Sequence, residues 1–117
     1  MIGGTGATDG EVIGEGRVGA RLFLCGEAPA RSDLDEARPW SGRMGRYLNN
    51  TMRMAGLPPR EMCYITNLLK QPAIDNEKDW VMEGQIKEWE GVLHEELSSV
   101  RPMVVATLGS WATRWFL

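Results

Sequence analysis

Cysteine, histidine and long apolar runs are all scarce in this sequence. Its 117 residues include Cys 2 and His 1. Two cysteines cannot build a disulfide framework, nor complete a four-ligand metal site by themselves. No stretch approaches the roughly 18 consecutive apolar residues of a membrane helix. The first residues carry neither a basic nor an apolar signal-peptide region. A glycine-rich phosphate loop and a dinucleotide fingerprint are missing too, which counts against a general nucleotide-binding α/β protein. There is no internal repeat. What is there is close to the globular average, 43% hydrophobic and 25% charged with a net charge of -3, and the length suits one domain. These features lead us to expect a soluble, reduced protein in the cytoplasm.

The charge is unevenly spread. Between Arg38 and Arg60 there are five arginines (Arg38, Arg43, Arg46, Arg53, Arg60) and no acid, whereas Asp75 to Glu96 holds eight acids against Lys78 and Lys87. The basic stretch reads either as an anion-binding surface or as an ordinary solvated helix face.

Residues 1–19 are rich in glycine without apolar period and read as a flexible leader, so the domain is expected over 20–117. Arg21–Cys25 is a short apolar run closed by Gly26, as in a buried strand. Residues 27–42 are polar and rich in turn formers, which suggests a functional loop. Apolar spacing predicts a helix over 45–55, stopped by Gly56 and Pro58-Pro59. Met62–Thr66 reads as a second strand. A long helix over 78–100 follows, with Ile86, Trp89, Leu93, Leu97 and Val100 on one face. Met103–Leu108 reads as a third strand, and Ser110 as the N-cap of a last helix. This alternation predicts an α/β fold, three layers αβα around a short parallel sheet of three strands.

Ligands of open parallel sheets bind beyond the carboxyl ends of the strands, here Gly26–Ala30, Thr66–Lys70 and Leu108–Ser110. Asn67 offers donor and acceptor for a base edge, and Trp40 offers a face for stacking on a flat heterocycle. Each has a plainer alternative: Asn67 as a turn or cap residue, Trp40 as a loop anchor.

Four segments in order carry a resemblance. They are Gly26-Glu27-Ala28-Pro29, then Arg38-Pro39-Trp40-Ser41-Gly42-Arg43-Met44-Gly45, then Tyr64-Ile65-Thr66-Asn67 with Lys70, then Arg101-Pro102 leading to Thr107-Leu108-Gly109. Together they resemble the uracil-DNA glycosylase superfamily, most of all its fourth, iron–sulfur-containing family. The resemblance implies hydrolysis of the N-glycosidic bond of uracil flipped out of DNA, in base-excision repair. It places Gly26, Ala28 and Pro29 at the floor of the base pocket and Glu27 beside the glycosidic bond, holding the attacking water. Trp40 would stack on the base, and Asn67 would pair with the uracil O4 and N3 edge. Arg38, Arg43, Lys70 and Ser110 would contact DNA.

Three departures accompany the resemblance. Gln71 and Trp89 stand where the family has cluster cysteines, and the first 19 residues hold no cysteine, so no iron–sulfur cluster or other metal is expected. Ala28 stands where another uracil glycosylase family has a water-activating Asp. The chain stops before the family's last strand and its histidine-bearing loop, and His94 in the acidic helix reads as a surface residue. A non-catalytic uracil- or DNA-binding remnant of the fold is therefore the alternative. The exposed sheet edge and the apolar Trp115-Phe116-Leu117 segment lead us to expect self-association or a partner chain.

Overall fold

A computed structural model of the chain describes residues 10–117. The elements run β1 (Glu15–Gly16), β2 (Leu22–Gly26), α1 (Arg31–Glu36), α2 (Arg43–Met54), a single 3-10 turn (Arg60–Met62), β3 (Tyr64–Asn67), α3 (Asp79–Val100), β4 (Val104–Thr107) and α4 (Ser110–Phe116). The sheet order is β1-β3-β2-β4. β2 lies between β3 and β4, parallel to both, and β1 is antiparallel to β3.

Alternation along the central strands sorts the core into two halves. Phe23, Cys25 and Tyr64 face a cluster completed by Met82, Ile86, Leu93 and Val100 of α3 and Ala112 of α4. Leu24 and Ile65 face the other way, against Met52 and Leu48 of α2 and the Trp40 ring. Helices thus cover both faces of the sheet, the three-layer arrangement the alternation predicts. In β2 and β3 both faces are buried, which is why they read as continuous apolar runs.

Two elements differ from expectation. The sheet has four strands, because Glu15–Gly16 pairs with Tyr64–Ile65. The expected leader over 1–19 is therefore corrected in its second half. Val12 is 1% exposed, its N–H donates to the Lys70 carbonyl, and Gly14 donates to the Glu96 carboxylate. Residues 1–9 lie outside the described residues. Gly16 has φ +150, and a Cβ there would sit 2.2 Å from the Cys63 carbonyl oxygen, so only glycine closes this edge.

The loop expected over 27–42 contains α1. Its organiser is Asp33, 5% exposed, whose carboxylate accepts from the Ala30 N–H at 3.2 Å and from the Ser41 N–H at 2.9 Å. One buried acid thereby ties the helix start to the segment carrying Trp40. The last helix is also capped one residue earlier than expected: Gly109 is the N-cap and Ser110 the first helical residue.

Candidate base-binding cleft

The carboxyl ends of β2 and β3 lie side by side, with Gly26 paired to Asn67. The loops beyond them stay in contact: Leu68 N–H donates to the Gly26 carbonyl and Leu69 N–H to the Glu27 carbonyl. Across this strand end lies Trp40. Its indole Nε1 donates to Asn67 Oδ1 at 3.1 Å, and a Cβ on Gly26 would come within 2.4 Å of its ring. Gly26 is thus the residue that lets the ring lie flat against the strand end.

Trp40 is held in an uncommon conformation, with φ +54. The Arg60 guanidinium donates to the carbonyls of Trp40 and Pro39. Gly45 leaves room on the far side, since a Cβ there would lie 1.7 Å from the Trp40 carbonyl oxygen. Strain of this kind persists only where surrounding contacts over-determine it, and it gathers at functional sites. Beside the ring opens a cleft of about 250 Å3, lined by Ala28, Ala30, Ser32, Trp40, Arg43 and Met44 among others.

Asn67 is 2% exposed. Its Oδ1 is engaged by Trp40, and its Nδ2 is buried with no hydrogen-bond partner among the described residues. Leaving a buried donor unpaired costs about 1–3 kcal/mol, so this atom marks where an acceptor on a ligand would be favoured.

Around this centre the expected residues divide. Gly26, Trp40 and Asn67 are in mutual contact. Ala28 and Arg43 line the cleft, and Pro29 is buried beneath the same loop. Glu27 is half-buried at the strand end, and its carboxylate accepts from Asn76 Nδ2 at 3.4 Å. Arg43 is exposed at the start of α2, and Arg46 and Arg53 are exposed further along it. Their spacing of three and seven residues keeps all three within one side of the helix. Arg38 is half-exposed and paired with Glu15. That hydrogen bond, with Arg38's charge, holds the Glu15 carboxyl below the usual value of 4.5. Ser110 is exposed on α4.

Lys70 is a correction. It is 0% exposed and offers nothing to DNA. Its ammonium donates to Thr66 Oγ1 at 2.7 Å, to the Asn67 carbonyl at 2.5 Å and to Glu96 Oε1 at 2.5 Å. Glu96 also accepts from Tyr64 Oη, Thr66 Oγ1 and the Gly14 N–H. The buried ammonium is thus fully paired, as burial demands, and steadies the backbone of Asn67. Burial, then the Glu96 charge, pushes the Tyr64 hydroxyl far above its ordinary range. Arg60 is likewise an internal brace. Burial lowers its pKa, against the pull of Glu15 3.6 Å away.

The thiols do not fit as ligands of one iron–sulfur cluster. Cys25 and Cys63 pack into core clusters on opposite faces of the sheet, and burial pushes Cys25 up to about 12. Gln71 and Trp89 supply no sulfur. His94 is exposed on α3, its ring tilted 56° to that of Trp115 in α4 with centroids 5.3 Å apart.

Fold and site together define a three-layer α/β protein with a cleft walled by Trp40, whose indole also meets buried Asn67 at the carboxyl ends of the parallel strands. The chain belongs to the uracil DNA glycosylase superfamily, whose family model matches residues 13–117. It is similar to the Type-4 uracil-DNA glycosylases of Saccharolobus solfataricus, at 32% identity over 89% of this chain and 47% of that protein, and of Thermotoga maritima, at 31% over 91% and 54%. The enzyme of the same name from Sulfurisphaera tokodaii is 29% identical over 89% of this chain and 46% of its own length. The chain thus spans about half the length of these curated relatives.

Proposed function

We propose that this chain is a uracil-DNA glycosylase-like protein that takes a flipped uracil into the Trp40 cleft and hydrolyses its N-glycosidic bond. The observation that carries the reading is Asn67, buried and with Nδ2 unpartnered beside an aromatic wall. Extruding a base costs a few kcal/mol, which stacking and edge hydrogen bonds recover inside the cleft. The departing base gathers negative charge, and amide donors fixed in advance stabilise it. Glu27, at the strand end, holds the attacking water. Exposed Arg43, with Arg46 and Arg53 behind it, meets the phosphates and sets position rather than sequence. Neither cysteine is available as a cluster ligand, and the reading routes no step through one. A cytoplasmic place of action goes with it; among the described residues no helix is long and apolar enough to cross a membrane.

The second reading, a member that binds uracil-containing DNA without cutting it, is favoured by the position of His94, exposed on α3 against Trp115 of α4. A uracil-containing oligonucleotide treated with the protein and then alkali separates the two. Strand scission at uracil that Asn67→Ala abolishes supports hydrolysis. Binding without scission supports the second reading, and neither binding nor scission overturns both.

The sheet edge suggests a further property. β4 is an outer strand, with Met103 74% and Val104 58% exposed, so we infer self-association through this edge. Size-exclusion chromatography with light scattering should show mass rising with concentration and Val104→Lys suppressing the rise. A concentration-independent monomer overturns it.

A further inference from the structure

We infer that Arg60 is a positioning residue of the cleft: by holding the carbonyls of Pro39 and Trp40 it keeps the Trp40 ring in the posture that walls the cleft. This rests on the base-binding reading above and gives a part in it to a cation that lies outside the cleft lining.

Trp40 has little else to hold that posture. Its φ of +54 lies in the left-handed region, which a bulky side chain seldom enters. Backbone support nearby is sparse. Pro39 has no N–H, and among the described residues the carbonyls of Pro39 and Trp40 accept only from Arg60. A guanidinium suits this task, because its planar fork presents N–H groups side by side. Here Nη1 takes the Trp40 carbonyl and Nη2 that of Pro39. The fork is firmly mounted. Arg60 opens the 3-10 turn that leads into β3, and its own carbonyl accepts from the Cys63 N–H. Its side chain is 10% exposed, and Glu15 of β1 lies 3.6 Å away while also pairing with Arg38, the residue before Pro39. Burying a guanidinium is costly, and apolar packing often stabilises a protein as well or better. A charge kept there serves geometry, and the backbone it grips is that of the cleft wall. Without the fork, Trp40 would relax toward negative φ and draw its ring away from Gly26 and Asn67. Only the braced fraction of molecules would then receive a base, and apparent affinity falls with that fraction.

The test uses the full chain and two single-stranded oligonucleotides that differ at one central position. One carries 2′-fluoro-deoxyuridine, in which the fluorine slows glycosidic cleavage, and the other a base-free tetrahydrofuran. The ratio of the two affinities isolates what the base contributes. The wild type should favour the uridine oligonucleotide by about tenfold or more, as stacking on an aromatic wall implies. Arg60→Met should erase most of that ratio while leaving affinity for the base-free oligonucleotide unchanged. Arg60→Lys, a point charge without the fork, should restore only part of it. Either variant, folded by circular dichroism, overturns the inference if it keeps the full ratio, even with both affinities lowered in parallel as plain destabilisation would do. That result leaves the base-binding reading intact, whereas a wild type with equal affinities overturns both. Proton NMR of the wild type needs no variant. The Arg60 Nη protons should exchange with solvent about tenfold more slowly than those of exposed Arg46. Equal exchange overturns the inference.

Discussion

Single atoms decide the chemistry at the cleft, and glycine hydrogens are among them. Gly26 and Gly45 exist to let Trp40 through, one for its ring and one for its carbonyl. Gly45→Ala should therefore destabilise the protein by about 1–3 kcal/mol, as overpacking does, and lower uracil-DNA affinity. Urea unfolding and a binding titration on the same preparation check both effects. The buried pair carries a larger stake. Removing one partner strands the other, so Lys70→Met should cost about 3–5 kcal/mol, with Lys70→Met/Glu96→Leu recovering only part of the loss because the Tyr64, Thr66 and Gly14 donors lose their acceptor. A double variant no more stable than the single one in urea would contradict this. At this scale the sequence was legible where type and position suffice, as for Asn67 at a strand end after Tyr64-Ile65-Thr66. It misled at Lys70 and Arg60. A cation near a strand end reads as a surface group, and nothing local reveals that Glu96 or the Trp40 carbonyl is its partner.

At the level of elements, length governed what could be read. α3 shows six turns of apolar spacing, and its start falls one residue from expectation; α2 starts two residues earlier than its periodicity suggests. β1 has two residues and α1 six, too few for any period to emerge, and both are held by long-range hydrogen bonds rather than by their own pattern. The parallel pairing of the three longer strands and the placing of helices on both faces followed from strand–helix alternation; the order of the strands in the sheet did not. The fourth strand did not, since its pairing depends on a glycine facing the Cys63 carbonyl. α3 also carries two removable weaknesses. Gly84 and Gly91 are exposed, and a Cβ at either would meet nothing within 4 Å. Gly84→Ala and Gly91→Ala should each stabilise the protein by about 0.5–1 kcal/mol, seen as a higher urea midpoint with an unchanged slope.

Across the whole molecule, charge sorts the surface. Arg43, Arg46 and Arg53 share one side of α2, with Arg43 at the cleft, whereas α3 carries six of the 16 acids. Arg43→Gln should weaken binding to uracil-containing and ordinary DNA alike and reduce the salt slope of affinity by about one, measured by titration at several salt concentrations. A second global effect comes from Glu15. Its carboxyl titrates below 4.5 because Arg38 hydrogen-bonds it. The stability it contributes is complete above that value and is lost as pH falls through the lower folded value. Solvent screening of half-exposed Arg38 limits the contribution to about 1 kcal/mol. The gap between wild type and Glu15→Gln should thus be present at pH 7 and close in acid, as followed by urea midpoints across pH.

The bond from the Gly14 amide to Glu96 spans 82 residues, and its consequence is temporal. During synthesis the Lys70 side chain leaves the ribosome before its counter-ion exists, and Gly14 before either. Until α3 has been made, the ammonium must stay hydrated and the first strand undocked, because burying an unpaired charge is prohibitive. Closing so long a loop is entropically costly and slow. One carboxylate on α3 therefore acts as a latch. Its arrival lets the Gly14 segment, the β3 strand end that bears Asn67 and the long helix settle together.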